Sequence, residues 1–172
     1  MIKIELDRIR VLVADPSPHM VSIIRAMLRG FGITDVREAN DSKVALAALM
    51  SRQVDAMIVE DRLSPHDGTA LTRQLRACAE CPNRDIPVIM MSGQAEMSRI
   101  IHARDAGVTE FLKKPLSAAV LRDRLLAAFA QPRTFVDGPA YAGPDRRRRT
   151  LQIEGDERRG SANAATRRSG TD

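Results

Sequence analysis

Along the first 130 residues, short aliphatic runs alternate with segments of helical period. Runs of Val, Ile, Leu and Met without in-and-out alternation suit strands covered on both faces of a parallel sheet, and the stripes between them supply the covering helices. The unit recurs five times, with strands expected at residues 11–14, 36–39, 56–59, 88–91 and 110–112; the second and fifth carry the weakest pattern. The first helix is the clearest. Ser17 suits its cap, Pro18 its first position, and Met20, Ile23, Ile24, Met27, Leu28 and Phe31 form one apolar stripe that Gly30 and Gly32 bring to an end. Further stripes run through Val44, Leu46, Ala47 and Leu49, through Leu71 and Leu75, through Ile100, Ile101 and Ala103, and through Leu121, Leu125, Leu126 and Phe129. The expected fold is α/β, a doubly wound five-stranded parallel sheet over residues 1–130.

After Pro132 the periodicity stops, and Gly, Pro, Asp, Arg, Ser and Thr take over. So little apolar area cannot offset the entropy of ordering a backbone, so residues 131–172 are expected to form a flexible, disordered arginine-rich tail, with Phe135, Val136, Ala140 and Tyr141 as exceptions.

Composition narrows the function classes. The chain has no Trp, one Tyr and four Phe, so its core is aliphatic. The opening MIKIELDRIR interleaves charges with aliphatics and is no signal peptide, and no apolar run approaches a membrane span. A cytoplasmic protein without membrane insertion is therefore expected. Cys78 and Cys81 form a C-x-x-C without a second pair or a nearby His to complete a zinc set. His19, His66 and His102 have no Ser or Cys nucleophile at a useful spacing, so no catalytic residues are assigned and no enzyme is expected.

In an open parallel sheet, ligands gather at the carboxyl ends of the strands. The polar outliers fall there: Asp15 after the first strand, Glu60 and Asp61 after the third, Ser92 after the fourth, Lys114 with Pro115 after the fifth. The segments VLVADPSPHM, DAMIVEDRLSPHDG, IPVIMMSG and ARDAGVTEFLKKP, with their spacing, resemble a bacterial response-regulator receiver domain of CheY-like, flavodoxin-like fold. The resemblance implies a phosphorylation site built from two acids that hold Mg²⁺, an acceptor Asp, a Ser or Thr, and a Lys followed by Pro. Asp15 then matches the first metal acid, Ser92 the switch hydroxyl, Phe111 the aromatic switch position and Lys114 the phosphate-facing lysine. Two positions depart from the pattern. Pro16 stands where the second acid is expected, and the spacing to Asp67 and Gly68 puts Glu60, not Asp61, in the acceptor position. A shift to Asp61 would need a one-residue deletion and would turn the side chain to the other face of an extended strand. The site is thus expected to be degenerate, with no cofactor and no metal beyond a weak site at Asp15 and Glu60, and Mg²⁺ is not expected to bind. The Glu60 carboxylate, one methylene longer than Asp, would partly imitate a phosphorylated acceptor.

The charge of the tail changes the picture further. Of the 27 Lys and Arg and 22 acids, residues 131–172 hold nine Arg and six acids, a net +3 of the total +5. Tyr141 and the turn residues Gly143 and Pro144 precede Asp145, Arg146, Arg147, Arg148 and Arg149, with further pairs at Arg158 and Arg159 and at Arg167 and Arg168. Planar guanidinium forks pair bidentately with phosphate and stack on bases, so the segment suits a nucleotide. A solvated basic tail and phosphate-led attachment to nucleic acid are the competing readings; six acids and sparse aromatics count against nucleic acid. A CheY-like receiver ending in GPDRRRR is similar to the Cle subfamily, CheY-like effectors of alphaproteobacteria that bind cyclic di-GMP through an arginine-rich end and dock on the flagellar motor switch. That resemblance implies cyclic di-GMP as ligand, held by Arg146, Arg147, Arg148, Arg149, Arg158 and Arg159. Asp145 would accept from a guanine and Tyr141 would stack on a base, and the protein partner at the flagellated pole would be the motor switch. A conventional phospho-accepting regulator using Asp61 is the alternative.

Overall fold

The computed structural model describes residues 5–146. Five parallel strands, β1 (Arg10–Ala14), β2 (Asp35–Ala39), β3 (Ala56–Glu60), β4 (Val88–Ser92) and β5 (Glu110–Lys113), lie in the order β2-β1-β3-β4-β5. Five helices, α1 (Pro18–Gly30), α2 (Ser42–Ser51), α3 (Gly68–Ala77), α4 (Met97–Asp105) and α5 (Ala118–Ala130), cover its two faces. The pattern of burial follows the position of each strand. The inner strands β3 and β4 are buried at every residue, whereas β2 and β5, the two strands with the weakest sequence pattern, are the edges. An edge strand has one neighbour and is free to carry polar residues.

Caps fix the helix starts. Ser17, Asp41, Asp67 and Ser117 each accept a hydrogen bond from the backbone N–H three residues on, and so open α1, α2, α3 and α5. α1 buries Val21, Ile24 and Leu28, with Met20, Met27 and Phe31 packed at its margin. Two stripes differ from expectation. α2 turns Ala45 and Leu49 inward and leaves Val44 45% exposed. Its central turns are apolar nearly all round, so periodicity there does not select a face. α4 buries only Ala103, with Ile101 38% and Met97 70% exposed.

The tail expectation is corrected between residues 135 and 144. β6 (Phe135–Gly138) and β7 (Tyr141–Pro144) form an antiparallel hairpin around Pro139 and Ala140, and β7 packs on α3. Side chains of the preceding domain provide what the segment lacks in apolar area. Arg84 donates to both oxygens of Asp137 at 2.8 Å and lies 4.9 Å over the Phe135 ring. The Asp145 N–H donates to the Thr134 carbonyl at 2.8 Å and the Tyr141 hydroxyl to the Pro144 carbonyl at 2.7 Å. Beneath the hairpin lies Arg76, 1% exposed, which donates to the carbonyls of Gly107 and Arg84. Burial pushes its pKa down to about 10, still charged at neutral pH. Gly107 sits at φ +98°, and a Cβ there would fall 2.8 Å from the Arg76 side chain, so this turn needs glycine.

Candidate functional site at the carboxyl edge of the sheet

The chain leaves β1 toward one edge of the sheet and returns through β3 toward the other. This switch point brings the ends of β1 and β3 side by side. Asp15, the residue after β1, is 2% exposed; its Oδ1 accepts from the Ser17 N–H at 2.8 Å and its Oδ2 from Lys114 Nζ at 3.3 Å. Glu60, the last residue of β3, is buried, forms an ion pair with Lys114 and accepts from the Arg62 N–H at 3.2 Å. Lys114 follows β5 through a backbone hydrogen bond to the Ser92 carbonyl, and its bond to Pro115 is cis. Burial alone would lower the lysine pKa. The hydrogen bond and charge of Glu60, with those of Asp15, outweigh burial and hold the ammonium above the ordinary lysine range.

Asp61 makes a separate set of contacts. Its Oδ2 accepts from Ser92 Oγ at 3.1 Å and forms an ion pair with Arg99 of α4. The expectation that a one-residue step would turn Asp61 to the opposite face does not hold, because β3 ends at Glu60 and Asp61 opens a turn in which the pleat no longer governs direction. Both carboxylates therefore reach the same edge. Glu60 joins Lys114, and Asp61 joins Ser92. Arg99 is absent from the sequence reading. Three buried carboxylates against one lysine called for a second cation, and an arginine in the first turn after β4 was the available signal. Phe111 on β5 is half-buried against the core.

His19 lies on α1, His66 in the loop before α3 and His102 on α4. Cys81 is buried against the Leu49 carbonyl, while Cys78 approaches the Met50 sulfur at 3.8 Å. Among the described residues, no group of three or more His, Cys, Asp or Glu is placed to hold a metal.

A second set of candidate residues begins at the hairpin. Arg146 lies 4.5 Å over the Tyr141 ring and donates to Asp105 at the end of α4 at 2.9 Å. Asp145 is partly buried where it closes the hairpin to Thr134. Arg147, Arg148, Arg149, Arg158 and Arg159 lie outside the described residues.

The sheet order, the acid pair at the switch point and the lysine across from it make comparison with known proteins informative. Residues 11–126 match the family model of the response regulator receiver domain. The chain belongs to the response-regulator receiver family. This receiver is 32% identical over 120 residues to a chemotaxis protein CheY of Pseudomonas aeruginosa, covering 70% of this chain and 95% of that one. It is 30% identical over 116 residues to CheY-3 of Vibrio cholerae, covering 67% and 88%. Among solved structures it resembles the receiver domain of a Pseudomonas aeruginosa sensor histidine kinase with a magnesium ion coordinated in the active site cleft. That likeness has a TM-score of 0.64 and 27% identity over 71% of this chain and 98% of the other. The fold also matches a CheX-CheY complex of Borrelia burgdorferi, with a TM-score of 0.66 and 19% identity over 72% of this chain and 90% of the other. The family match ends at residue 126, before the arginine-rich end.

Among the described residues, no helix is long and apolar enough to cross a membrane.

Proposed function

We propose that this receiver is a cytoplasmic cyclic di-GMP effector whose phosphorylation input is degenerate and whose output is contact with a protein partner, the flagellar motor switch at the cell pole. The observation that carries the reading is the anchorage of Arg146. The first arginine of the DRRRR run is stacked on Tyr141 and tied to Asp105 at the end of α4. Guanidinium groups in that number, next to an aromatic, suit the two phosphates and two guanines of cyclic di-GMP.

The sheet edge supports the loss of the older input. Pro16 has no ligand oxygen, the Lys114 ammonium lies between Asp15 and Glu60, and Asp61 is engaged by Ser92 and Arg99. These residues do not fit the magnesium site that the family implies, and no phosphoryl-transfer step is derived through it. Glu60 paired to Lys114 resembles the contact that a phosphorylated acceptor would make, and in this reading it holds the receiver in one state without phosphate. Binding, not catalysis, is then the activity.

The test is calorimetric titration of cyclic di-GMP, with GTP as control, into the intact protein and into the variant R147A/R148A/R149A. The full chain is needed, because ending it at Ala130 would strip the hairpin from Arg76. Binding of the dinucleotide by the parent and its loss in the variant support the reading; equal titration by both, or by neither, refutes it. Partner contact is tested by measuring affinity for the purified motor switch with and without the dinucleotide.

One contact favours a second reading. The Ser92 hydroxyl donates to Asp61, which is the pairing of switch hydroxyl and acceptor in a conventional phospho-receiver. That reading requires phosphate uptake from acetyl phosphate in Mg²⁺ that Asp61→Asn abolishes.

A further inference from the structure

A groove of about 370 Å³ opens between α4, β5 and the segment after α5. Ile100, Ala103 and Phe111 give it an apolar floor, and Arg104, Arg133 and Arg146 reach its walls. The charge at its rim is unbalanced. Among the lining residues three arginines face one acid, Glu110, whose carboxylate already accepts from Arg133 at 3.1 Å and from Arg124 at 3.2 Å. At the other end a single oxygen, Asp105 Oδ1, accepts from Arg104 at 3.2 Å and from Arg146 at 2.9 Å. Two guanidinium groups thus converge on one carboxylate oxygen, and both arginines keep about half of their side-chain surface open to solvent.

A floor of aliphatic and aromatic carbon under a rim of forked cations is complementary to a planar base carrying phosphates. The volume lies within the range of small-molecule sites, roughly 300–1,000 Å³. Arg146 ties the groove to the arginine run, since it lines the wall and is followed directly in the chain by Arg147, Arg148 and Arg149.

We infer that this groove is the receiver's own half of the cyclic dinucleotide site: a base rests on Ile100 and Phe111, and a phosphate is shared by Arg104 and Arg146. The inference rests on the reading that the arginine run binds cyclic di-GMP, and it adds that the ligand is held against α4 and β5 rather than by the run alone. Because Phe111 and the exposed face of α4 form the seat, ligand occupancy is read directly by the surface that flanks it. The acid cluster at the sheet edge takes no part.

The test combines two measurements on the full chain. Cyclic di-GMP is titrated calorimetrically into the parent and into Arg104→Ala, whose half-exposed side chain pairs, among the described residues, with the neighbouring Asp105. Methyl and amide NMR signals of Ile100, Ala103 and Phe111 are followed to saturation in the parent. Loss of one charge-assisted contact predicts affinity weaker by about tenfold in Arg104→Ala, partial recovery in Arg104→Lys, and ligand-dependent shifts at Ile100 and Phe111. Unchanged affinity in Arg104→Ala with unmoved signals at Ile100 and Phe111 overturns the seat and leaves the effector reading intact. A parent chain that does not bind the dinucleotide overturns both.

Discussion

Arg99, in the first turn of α4, forms an ion pair with Asp61, the residue that follows β3. The pair joins the carboxyl edge of the sheet to the helix that borders the groove. Asp61 is almost fully buried, and Ser92 Oγ is its other partner. The loop between β4 and α4 lies between the acid cluster and that helix. The Arg99–Asp61 contact spans it.

Removing Arg99 leaves a buried carboxylate with one neutral donor. Arg99→Ala is expected to lower stability by about 1–3 kcal/mol, and to raise hydrogen exchange at residues 93–97 more than elsewhere. Denaturant unfolding with exchange mass spectrometry measures both. Unchanged exchange in that loop would mean that the pair does not hold α4.

Lys114 makes stability sensitive to alkali. Its pKa in the folded protein is raised above the ordinary 10.5, so the stabilisation is complete below that value and is lost as pH rises through the folded pKa. Lys114→Met should abolish that component, and should also lower stability at neutral pH, because Asp15 and Glu60 would face each other without a cation. Urea unfolding between neutral pH and pH 11, parent against variant, checks the sign.

The chain's one tyrosine reports on the hairpin. With no tryptophan, ultraviolet titration reads Tyr141 alone. Burial raises its phenol above the ordinary 10.0, against the lowering influence of Arg146, Arg76 and Arg133. Arg84→Ala removes the fork to Asp137 and the contact over Phe135. In that variant the Tyr141 titration should fall back toward 10.0, and amide exchange across residues 135–144 should accelerate. A titration identical to the parent's would show that the hairpin is seated by β7 on α3 without Arg84.

Acid should release the same hairpin. Pairing with Arg146 holds the Asp105 carboxyl below its ordinary 3.8, and pairing with Arg84 does the same for Asp137. A carboxyl with a depressed folded pKa contributes attachment above 3.8 and loses it as pH falls through the folded value. Tyr141 fluorescence should therefore change below about pH 4, before the core unfolds. Coincident transitions by fluorescence and far-ultraviolet circular dichroism would refute a separate release.

Gly107→Ala tests the seat from beneath. A Cβ at φ +98°, 2.8 Å from the Arg76 side chain, should cost about 1–3 kcal/mol. Thermal unfolding measures the cost.

The sequence by itself determined the five βα units, the cap Ser17, the aliphatic core and the placing of Asp15, Glu60, Ser92 and Lys114 at one edge. Each follows from local chemistry: strand runs covered on both faces, side chains that satisfy free helix N–H groups, and a parallel sheet that sends every strand end to one side. Tertiary structure alone decided three other features. It turned Ala45 rather than Val44 into the core, because α2 is apolar nearly all round and its period selects no face. Asp61 came to the same edge as Glu60 because the strand ends between them, and Arg99 came to Asp61 from a helix 38 residues away in the chain. The segment after Pro132 formed a hairpin because buried Arg76, the Arg84 fork and the Asp105 carboxylate hold it from outside. A local reading of apolar content counts only what a segment carries itself; a surface already built by the preceding domain can supply the remainder.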